Sequence, residues 1–480
     1  MSSADGNTVL LRARERSLRW LDLASTPVDA AWLTAFRVLY GLSMCVSMLR
    51  FISFDWVNES FVRPQFHFKY WGFGWVEALP ERELYALFWV LAALAFAVAI
   101  GFCFRVCAAL FVLGFTYLQL IDVTTYLNHY YLASLLGLLL MASPAHRLWS
   151  LDALLRPRLR ASVIPAGWLY LFRFQVGVVY TFAGLAKAHG DWLIHAQPLR
   201  IWLGSRTDLP LVGPLFTYEW APLAMSWAGF LFDSTIVLWL SWRRTRPLAY
   251  LVVIVFHALT SALFPIGMFP VIMVFCALVF FPPDWPRRLL ARVQSVFQRA
   301  GLAARPALEV PQIQPSGPPV RFGRAAALVA LTYCAVQLLL PLRFLAYGGN
   351  VRWHEQGMRF SWRVMVREKN GSITYYVRSV RSGRVWEVSP HRYLTRHQER
   401  EMSGQPDLIL QLAHHIVRDF ERRGYGPVEV RVEALVSLNG RAAALLVDPK
   451  VDLARVRDGI RRAEWVLSGP RTPPPHTRPI

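Results

Sequence analysis

Nine long apolar stretches recur along the chain before position 343, and they restrict its fold more than any other feature. They lie at about 30–52, 84–104, 106–122, 129–143, 168–187, 221–242, 247–264, 266–281 and 324–342. A stretch of roughly 17 to 25 apolar residues crosses a bilayer as an α-helix, because lipid offers no partner to an unpaired backbone group. The sequence therefore predicts an integral membrane protein, an all-α polytopic bundle of about nine transmembrane helices, in which the short fourth and eighth spans have loose boundaries.

The composition agrees with this class and argues against a nucleic-acid-binding protein. The 480-residue chain is 55% hydrophobic and 17% charged, which is too apolar for a soluble protein of this length. Its formal charge of +21 comes from 52 Lys and Arg against 31 Asp and Glu, but these charges separate the apolar stretches instead of covering one soluble module. All five cysteines fall inside predicted spans, without a spacing typical of a disulfide or a metal site: Cys45, Cys103, Cys107, Cys276 and Cys334.

The distribution of basic residues predicts the orientation in the membrane. The segment before the first span and the connections after the fourth, sixth and eighth spans are rich in arginine, whereas the first connection is balanced to acidic and the third and seventh hold almost no basic residue. Because Lys and Arg accumulate on the cytoplasmic side, the N-terminus is predicted to be cytoplasmic. An odd number of spans then places everything after about position 343 outside.

Beyond Arg343 the apolar stretches stop and shorter patterns follow. Alternation in 373–378 and 428–433 predicts strands, and helical periodicity in 408–423 predicts a helix. We therefore predict a cytoplasmic basic leader at 1–28, a transmembrane domain at 29–343, a small extracytoplasmic α+β domain at 344–465 and a disordered proline-rich tail at 466–480. The proline-rich stretch 305–320 is predicted to be a cytoplasmic linker.

A lysine ends the fifth apolar stretch, and it is the most informative single residue of the sequence. Arg173 and Tyr180 precede Lys187 at heptad spacing, so all three lie on one stripe of a helix. An ionisable group in a bilayer is costly and usually faces protein or a water-filled cavity, so this stripe indicates a site. A lysine at a helix end can also extend its amine into the headgroup region, and the local sequence leaves that alternative open.

Three further polar groups are predicted to lie at the same depth as Lys187, under the extracytoplasmic domain. Asn128 and His129 begin the fourth span, and His257 lies in the outward half of the seventh. Together they suggest a reaction chamber. The alternatives are a helix start capped by Asn128 and a histidine that is hydrogen-bonded between helices. The charged residues interpreted as structural charge partners are Arg37, Asp122, Arg173 and Asp233.

Taken in order, several motifs resemble the vitamin K-dependent gamma-carboxylase family, whose membrane portion is the horizontally transferred transmembrane (HTTM) domain. The motifs are Asp122 with Asn128-His129, Phe172-Arg173-Phe174-Gln175 leading to Ala183-Gly184-Leu185-Ala186-Lys187, Asp191-Trp192, Phe256-His257 leading to 263–269, Asp284-Trp285-Pro286-Arg287, and Phe360-Ser361-Trp362. Each motif is weak alone, but in order they span nearly the whole chain. The chain resembles a short, bacterial-type member, which implies the inner (cytoplasmic) membrane of a bacterium.

The resemblance implies an enzyme that uses O2 to oxygenate a reduced naphthoquinone, vitamin K or menaquinone, to its epoxide. The strong base generated in that step removes a γ-proton from a protein-bound glutamate, to which CO2 adds, and the scheme needs no metal. By the match, Lys187 falls on the lysine that deprotonates the quinol, and Asn128 and His129 fall on a catalytic polar pair. The residues expected to bind the quinone are His257, Tyr180, Trp362 and Met365.

The implied partners are the lipid bilayer, an isoprenoid quinone, and a secreted protein or peptide that carries glutamate. The animal enzyme continues far beyond the point that matches Asp452, so quinol oxygenation is expected more firmly than glutamate carboxylation. Two other functions remain open. A membrane acyltransferase that uses Asn128 and His129 would lose activity on removal of His129 but not of Lys187, and a non-catalytic transporter or maturation factor would turn over no quinone.

Overall fold

The structure is a computed structural model that describes residues 20–299 and 321–475. Most of the predicted basic leader, the predicted linker at 305–320 and the last five residues of the predicted tail lie outside the described residues. The described part forms a helical membrane domain followed by a small mixed domain that contains a four-stranded sheet.

The membrane domain consists of helices, and all the larger ones except α9 coincide with the apolar stretches. The larger ones are α1 (Ala31–Ser53), α2 (Glu81–Ile100), α3 (Phe104–Ile121), α4 (Asn128–Ala142), α5 (Ala166–Lys187), α6 (Trp220–Ser241), α7 (Arg246–Leu263), α8 (Phe269–Ala277), α9 (Trp285–Arg299) and α10 (Arg324–Leu339). Short α-helices lie at Leu151–Leu155, Gly190–Leu193, Leu199–Gly204 and Val351–His354, a π-turn at Asn58–Val62, and 3-10 turns at Val123–Thr125, Pro157–Leu159, Gly213–Thr217, Leu278–Phe280, Leu340–Ala346, Pro390–Arg392 and Leu453–Arg455. A proline stands in the first turn of α7 and of α8, where the backbone N–H has no helical partner to lose.

Seven of the described helices are long and apolar enough to cross a membrane, so the chain is an integral membrane protein. The predicted fourth and eighth spans correspond to α4, with 15 residues, and α8, with nine. The segment that contains α8 extends to Phe280 and then bends by 99° into α9, so it is either a broken span or a re-entrant segment. The count of nine spans, and the orientation derived from it, stay predictions.

The C-terminal domain is built on an antiparallel sheet of β3 (Lys369–Ser379), β4 (Val385–Val388), β5 (Val428–Leu438) and β6 (Ala444–Leu445), in the order β4-β3-β5-β6. The central pair is in register from Lys369 opposite Leu438 to Ser379 opposite Val428. Alternate residues of β5 are buried, because one face of the sheet packs against helix α12 (Pro406–Arg422), which follows α11 (Arg396–Ser403). The segments predicted as two strands and a helix lie in β3, β5 and α12.

Two further features connect distant parts of the chain. A two-stranded ribbon of β1 (Pro27–Asp29) and β2 (Val163–Pro165) joins the start of α1 to the start of α5. The segment 466–475, which its composition predicts to be disordered, instead packs on the C-terminal domain. Its backbone is fixed by hydrogen bonds, from the Leu467 amide to the Leu446 carbonyl (2.9 Å) and from Arg441 to the Thr472 carbonyl (2.7 Å). Proline content therefore did not prevent this segment from docking.

Candidate functional site

Lys187 is the last residue of α5, and its side chain is enclosed by protein. The residue is 6% exposed. Its Nζ lies 2.6 Å from Asp233 Oδ2 on α6 and donates to the Ala183 carbonyl at 3.3 Å, while the ring of Trp192 lies 5.3 Å away. Asp233, which the sequence predicts to be a structural charge partner, is the direct partner of Lys187.

A glycine on α5 explains how the two helices come close enough for this contact. A Cβ on Gly184 would lie 2.6 Å from Ser234 Oγ and 3.0 Å from the backbone of Ser234. These distances mean that α5 and α6 nearly touch at this level, one residue from Asp233. The carboxylate can therefore reach the amine without either side chain leaving the helix interface.

A second polar pair includes Tyr180, which lies about two helical turns before Lys187 on α5. Tyr180 Oη lies 3.2 Å from His257 Nε2, and both side chains are buried. Within the described part of the chain, His257 Nδ1 is buried and has no hydrogen-bond partner. The imidazole thus has one nitrogen held by the protein and one that can serve a ligand.

Both pairs line one cavity of about 100 Å³. Apart from Thr260, the rest of its lining is apolar, mainly Val179, Ala183, Trp192, Leu199, Met225, Phe256, Phe264, Ile266, Phe269, Met273, Val364 and Met365. Phe256 also stacks on Phe232 with ring centroids 3.8 Å apart, which fixes one wall. An apolar pocket with a few convergent polar groups is typical of a small-molecule site.

Asn128 and His129 lie in a neighbouring cavity of about 580 Å³. Phe269 stands between the two spaces, because its ring centroid is 6.2 Å from that of His129 and 5.9 Å from that of His257. Ile266, Val364 and Met365 also line both cavities. Asn128 does not cap α4, whose N-cap is Leu127, and instead accepts a hydrogen bond from Tyr126 Oη at 3.1 Å.

The segment 360–365 forms part of these walls and has an unusual backbone. Phe360, Trp362 and Met365 have φ values of 62°, 57° and 55°, in the left-handed region that side chains other than glycine disfavour. Such residues persist when their surroundings fix them, and they cluster at functional sites. Met365 lines the cavities, but Trp362 is fully buried and stacks on Tyr131 at a centroid distance of 4.9 Å.

The other predicted charge partners lie away from the cavity of Lys187. Arg37 and Arg173 bind backbone carbonyls, and Asp122 binds the C-terminal domain. Arg37 donates to the Ala145 and Trp149 carbonyls at 2.9 and 2.7 Å, and Arg173 donates to the Val279 carbonyl at 2.8 Å. These three contacts tie helices to neighbouring loops. Asp122 is fully buried and accepts from Gln398 Nε2 at 2.8 Å, so it connects the membrane domain to α11.

A second contact between the membrane domain and the C-terminal domain lies beside the site, at Asp191, four residues after Lys187. Arg441 donates to both oxygens of Asp191, at 2.6 and 2.8 Å, and Asn439 Nδ2 donates to Oδ2 at 2.9 Å. Burial opposes ionisation of Asp191, but the hydrogen bonds and charge of Arg441 and Asn439 outweigh it and lower the pKa of Asp191 to about 2. The loop that follows α5 is therefore bound to the turn after β5.

The sequence did not indicate several residues that form the cavity. Leu199, Met225 and Met273 lie outside every motif and are of common apolar residue types, so nothing local distinguishes them. The sequence did indicate that Asp233 has a partner, because a carboxylate midway along a membrane span needs one. The sequence could not say which of the available cations supplies it.

The groups that line the cavity are compatible with a small aromatic ligand such as a quinol. Within residues 20–299 and 321–475, no three His, Cys, Asp or Glu side chains come together in a way that could hold a metal. The cavity instead offers apolar walls, a buried amine and an imidazole nitrogen without a partner. A cavity of roughly 150 Å³ holds one benzene, so a bicyclic ring would also need part of the adjoining space behind Phe269 and Met365.

The fold and the site define a polytopic helical membrane protein with a largely apolar cavity that holds two buried polar pairs, beside a small α+β domain. Residues 25–285 match the HTTM domain model, and residues 323–472 match the model of the lumenal domain of vitamin K-dependent gamma-carboxylase. The chain belongs to the vitamin K-dependent gamma-carboxylase family. No solved structure gives a significant match to it. The family suggests an enzyme that uses vitamin K hydroquinone, O2 and CO2.

Proposed function

We propose that the protein is a quinol monooxygenase of the gamma-carboxylase type, in which Lys187 accepts the proton of the quinol hydroxyl. The observation that carries the proposal is the contact of 2.6 Å between Lys187 and Asp233 inside an apolar cavity. When bound, a reduced naphthoquinone supplies two electrons, so that one oxygen atom of O2 enters the epoxide and the other leaves as water. The residues of the chain bind and orient the quinol and accept its proton.

The contact with Asp233 gives Lys187 a route to the neutral amine that a base requires. A proton on Nζ can pass along the short hydrogen bond to Asp233 Oδ2, which leaves a neutral amine beside a neutral acid. In an apolar cavity this neutral pair avoids the desolvation of two separate charges. Lys187 then accepts the hydroxyl proton of the substrate and becomes the cation that stabilises the oxyanion formed next to it.

The two histidines have different roles in the proposal. His257 is oriented by Tyr180 and uses Nδ1 to bind an oxygen of the ring. Asn128 and His129 act from the neighbouring cavity, where an amide and an imidazole can orient a carbonyl or carboxylate. The apolar walls exclude water, which would otherwise quench a strong base. An isoprenoid tail reaches the cavity from the bilayer.

Carboxylation of glutamate is a separate part of the proposal. The base generated by oxygenation removes a γ-proton from a protein-bound glutamate, and CO2 adds to the resulting carbanion. With the N-terminus in the cytoplasm, the C-terminal domain faces a secreted protein or peptide outside a bacterial inner membrane. Incorporation of labelled CO2 into a glutamate peptide tests this part alone, and its failure leaves quinol oxygenation intact.

The direct test supplies reduced menaquinone or vitamin K and O2 to the purified protein in detergent and measures the epoxide. Loss of a general base lowers the rate by about 100-fold or more, so Lys187→Ala is expected to make little epoxide. The exposed Lys450 gives a matched control, and Lys450→Ala should retain the wild-type rate. Equal rates for wild type and Lys187→Ala would refute the proposal. Acyl transfer that depends on His129 but not on Lys187 would favour an acyltransferase.

A further inference from the structure

Helix α9 is anchored to the rest of the membrane domain at its start. Its buried residues are Pro286 and Arg287. Arg287 Nε lies 2.7 Å from Asp29 Oδ2, and the Arg287 guanidinium lies over the ring of Trp149 at 5.2 Å. Beyond Arg287 no residue of α9 is buried within the described part of the chain. The helix from 288 to 299 therefore lies on the outside of the described fold.

Five large apolar side chains form one face of this outer part of α9. Leu289, Leu290, Val293, Val296 and Phe297 are each between 42% and 62% exposed. They are spaced by one or three residues, which places them on one side of a helix. A contiguous apolar face that the protein leaves exposed marks a surface that binds a partner or a membrane.

A row of arginines runs along one edge of this apolar face. Every charged residue of α9 is an arginine, and Arg288, Arg292 and Arg299 are separated by four and seven residues, so they share one stripe of the helix. Arg288 is paired with Asp284 at 2.6 Å. Arg292 and Arg299 have no carboxylate within 4.0 Å in the part of the chain that the structure describes. Two cations beside an apolar face are thus available to an anionic partner.

The direction of α9 suits a helix that lies on a membrane surface. The segment Phe269–Phe280 packs among the other membrane helices, and α9 leaves it at an angle of 99°. A helix nearly perpendicular to a segment that enters the bilayer runs along the surface and not across it. With 15 residues and four arginines, α9 is also too short and too charged to span a bilayer. A basic amphipathic helix with Leu and Phe on its apolar face is typical of the boundary between headgroups and acyl chains.

We propose that α9 binds the surface of a membrane that contains anionic phospholipids. Its apolar face enters the upper part of the acyl chains, and Arg292 and Arg299 bind the phosphate groups, which a guanidinium contacts at two points. The predicted orientation agrees, since the basic connection after the eighth span is cytoplasmic, and anionic headgroups attract such basic segments there. The segment 300–320 suits these arginines less well, because it carries one carboxylate, Glu309, together with Arg305.

Hydrogen exchange of the backbone amides of residues 288–299 tests the inference on the full chain and without any turnover of quinone. The protein is placed in nanodiscs of phosphatidylcholine alone or of phosphatidylcholine mixed with phosphatidylglycerol. An exposed helix exchanges its amides through local opening, and binding to a surface slows that exchange. Each arginine at an anionic surface favours binding by about fivefold. The exchange of α9 should therefore be slower by about tenfold or more in the discs that contain phosphatidylglycerol.

Two kinds of variant separate the charged and apolar contributions. The double variant Arg292→Gln, Arg299→Gln should remove most of the difference between the two lipid compositions. Phe297→Ser should speed the exchange of α9 in both, because it removes apolar contact that does not depend on lipid charge. The charge-matched control is Arg156→Gln, Arg158→Gln, two exposed arginines in the connection after α4, and it should leave the difference unchanged.

The exchange of α12 in the C-terminal domain serves as the internal reference, since it should not respond to the lipid composition. Equal exchange of α9 in both kinds of disc, or an equal loss of the difference in the control variant, would overturn the proposal. So would the same slow exchange in a lipid-free amphipol, because the apolar face would then be covered by the chain itself. If the double variant also speeds the exchange of α12, and so does not fold, Arg299→Gln alone decides, with an expected effect of about fivefold.

Discussion

The amine of Lys187 and the carboxylate of Asp233 lie 2.6 Å apart, on two helices that meet at Gly184 and Ser234. Both side chains are more than nine-tenths buried. Two ionisable groups in such surroundings depend on one another, because removal of either leaves the other buried without a partner. The same contact brings a proton donor and a proton acceptor together in an apolar cavity.

The buried pair should show strong energetic coupling. We expect Lys187→Met and Asp233→Leu each to lower the free energy of unfolding by about 3–5 kcal/mol, because removal of one member of a buried pair leaves the other without its partner. The double variant should lose clearly less free energy of unfolding than the sum of the two single losses. Unfolding in detergent, followed by tryptophan fluorescence, measures the cycle.

The control for this cycle is the exposed pair Arg288 and Asp284, which has the same 2.6 Å separation. Exposure to solvent reduces the value of such a pair to about 0.5 kcal/mol. If the two single variants of the buried pair were additive, the interaction between Lys187 and Asp233 would be negligible.

The hydroxyl of Tyr180 should matter for activity through His257. Tyr180→Phe removes the hydrogen bond at 3.2 Å, so the imidazole loses the contact that fixes its ring. A hydrogen bond of about 1 kcal/mol corresponds to a decrease of about fivefold in the rate of epoxide formation. The rate per folded protein with reduced menaquinone measures the effect.

Tyr40→Phe is the matched control, because the hydroxyl of Tyr40 is also buried and donates to the Ala133 carbonyl at 2.9 Å. It should lower stability by a similar amount and leave the rate per folded protein unchanged. A parallel loss of rate in both variants would mean that Tyr180 acts only through stability.

Much of the fold was predictable because it follows from local patterns. Apolar length indicated the membrane helices, and period-two alternation in 373–378 and 428–433 indicated the strands that pair at the centre of the sheet. The short α4 and α8 were the weak points, because an apolar stretch of this length is also found in buried or re-entrant segments. The docked tail was missed, since composition does not reveal the hydrogen bonds to Leu446 and Arg441.

The site was predictable only in part. Lys187, His129 and His257 stood out because ionisable groups in a span are rare. The sequence did not reveal that His129 and His257 line different cavities. Phe269 separates the two histidines through the packing of helices that are far apart in sequence. Sequence periodicity gives the face of one helix but not the partner that faces it.

Gly184 should be intolerant of even one added carbon. A Cβ there would meet Ser234 Oγ at 2.6 Å, so Gly184→Ala forces α5 and α6 apart and weakens the contact between Lys187 and Asp233. We expect a loss of about 1–3 kcal/mol in the free energy of unfolding, as for other overpacked interfaces. Gly177→Ala on the same helix is the control, because its nearest neighbour would be Val237 at 3.8 Å. That variant should be neutral or slightly stabilising, and equal losses in both would contradict the close approach at Gly184.

The contact between Asp191 and Arg441 should make domain docking sensitive to acid. The pKa of Asp191 falls from the usual 3.8 to about 2 in the folded protein, since the bonds from Arg441 and Asn439 outweigh the opposing effect of burial. Because the folded pKa is the lower one, the stabilisation is complete above about pH 4 and is lost as the pH falls through about 2. The shift corresponds to about 2 kcal/mol.

Arg441→Gln should therefore reduce the free energy of unfolding by a constant amount above pH 4, and the difference from wild type should shrink towards pH 2. Arg378→Gln removes an exposed arginine 3.9 Å from Glu429 and should show a small difference at every pH. A difference between wild type and Arg441→Gln that does not change with pH would show that Asp191 does not titrate in this contact.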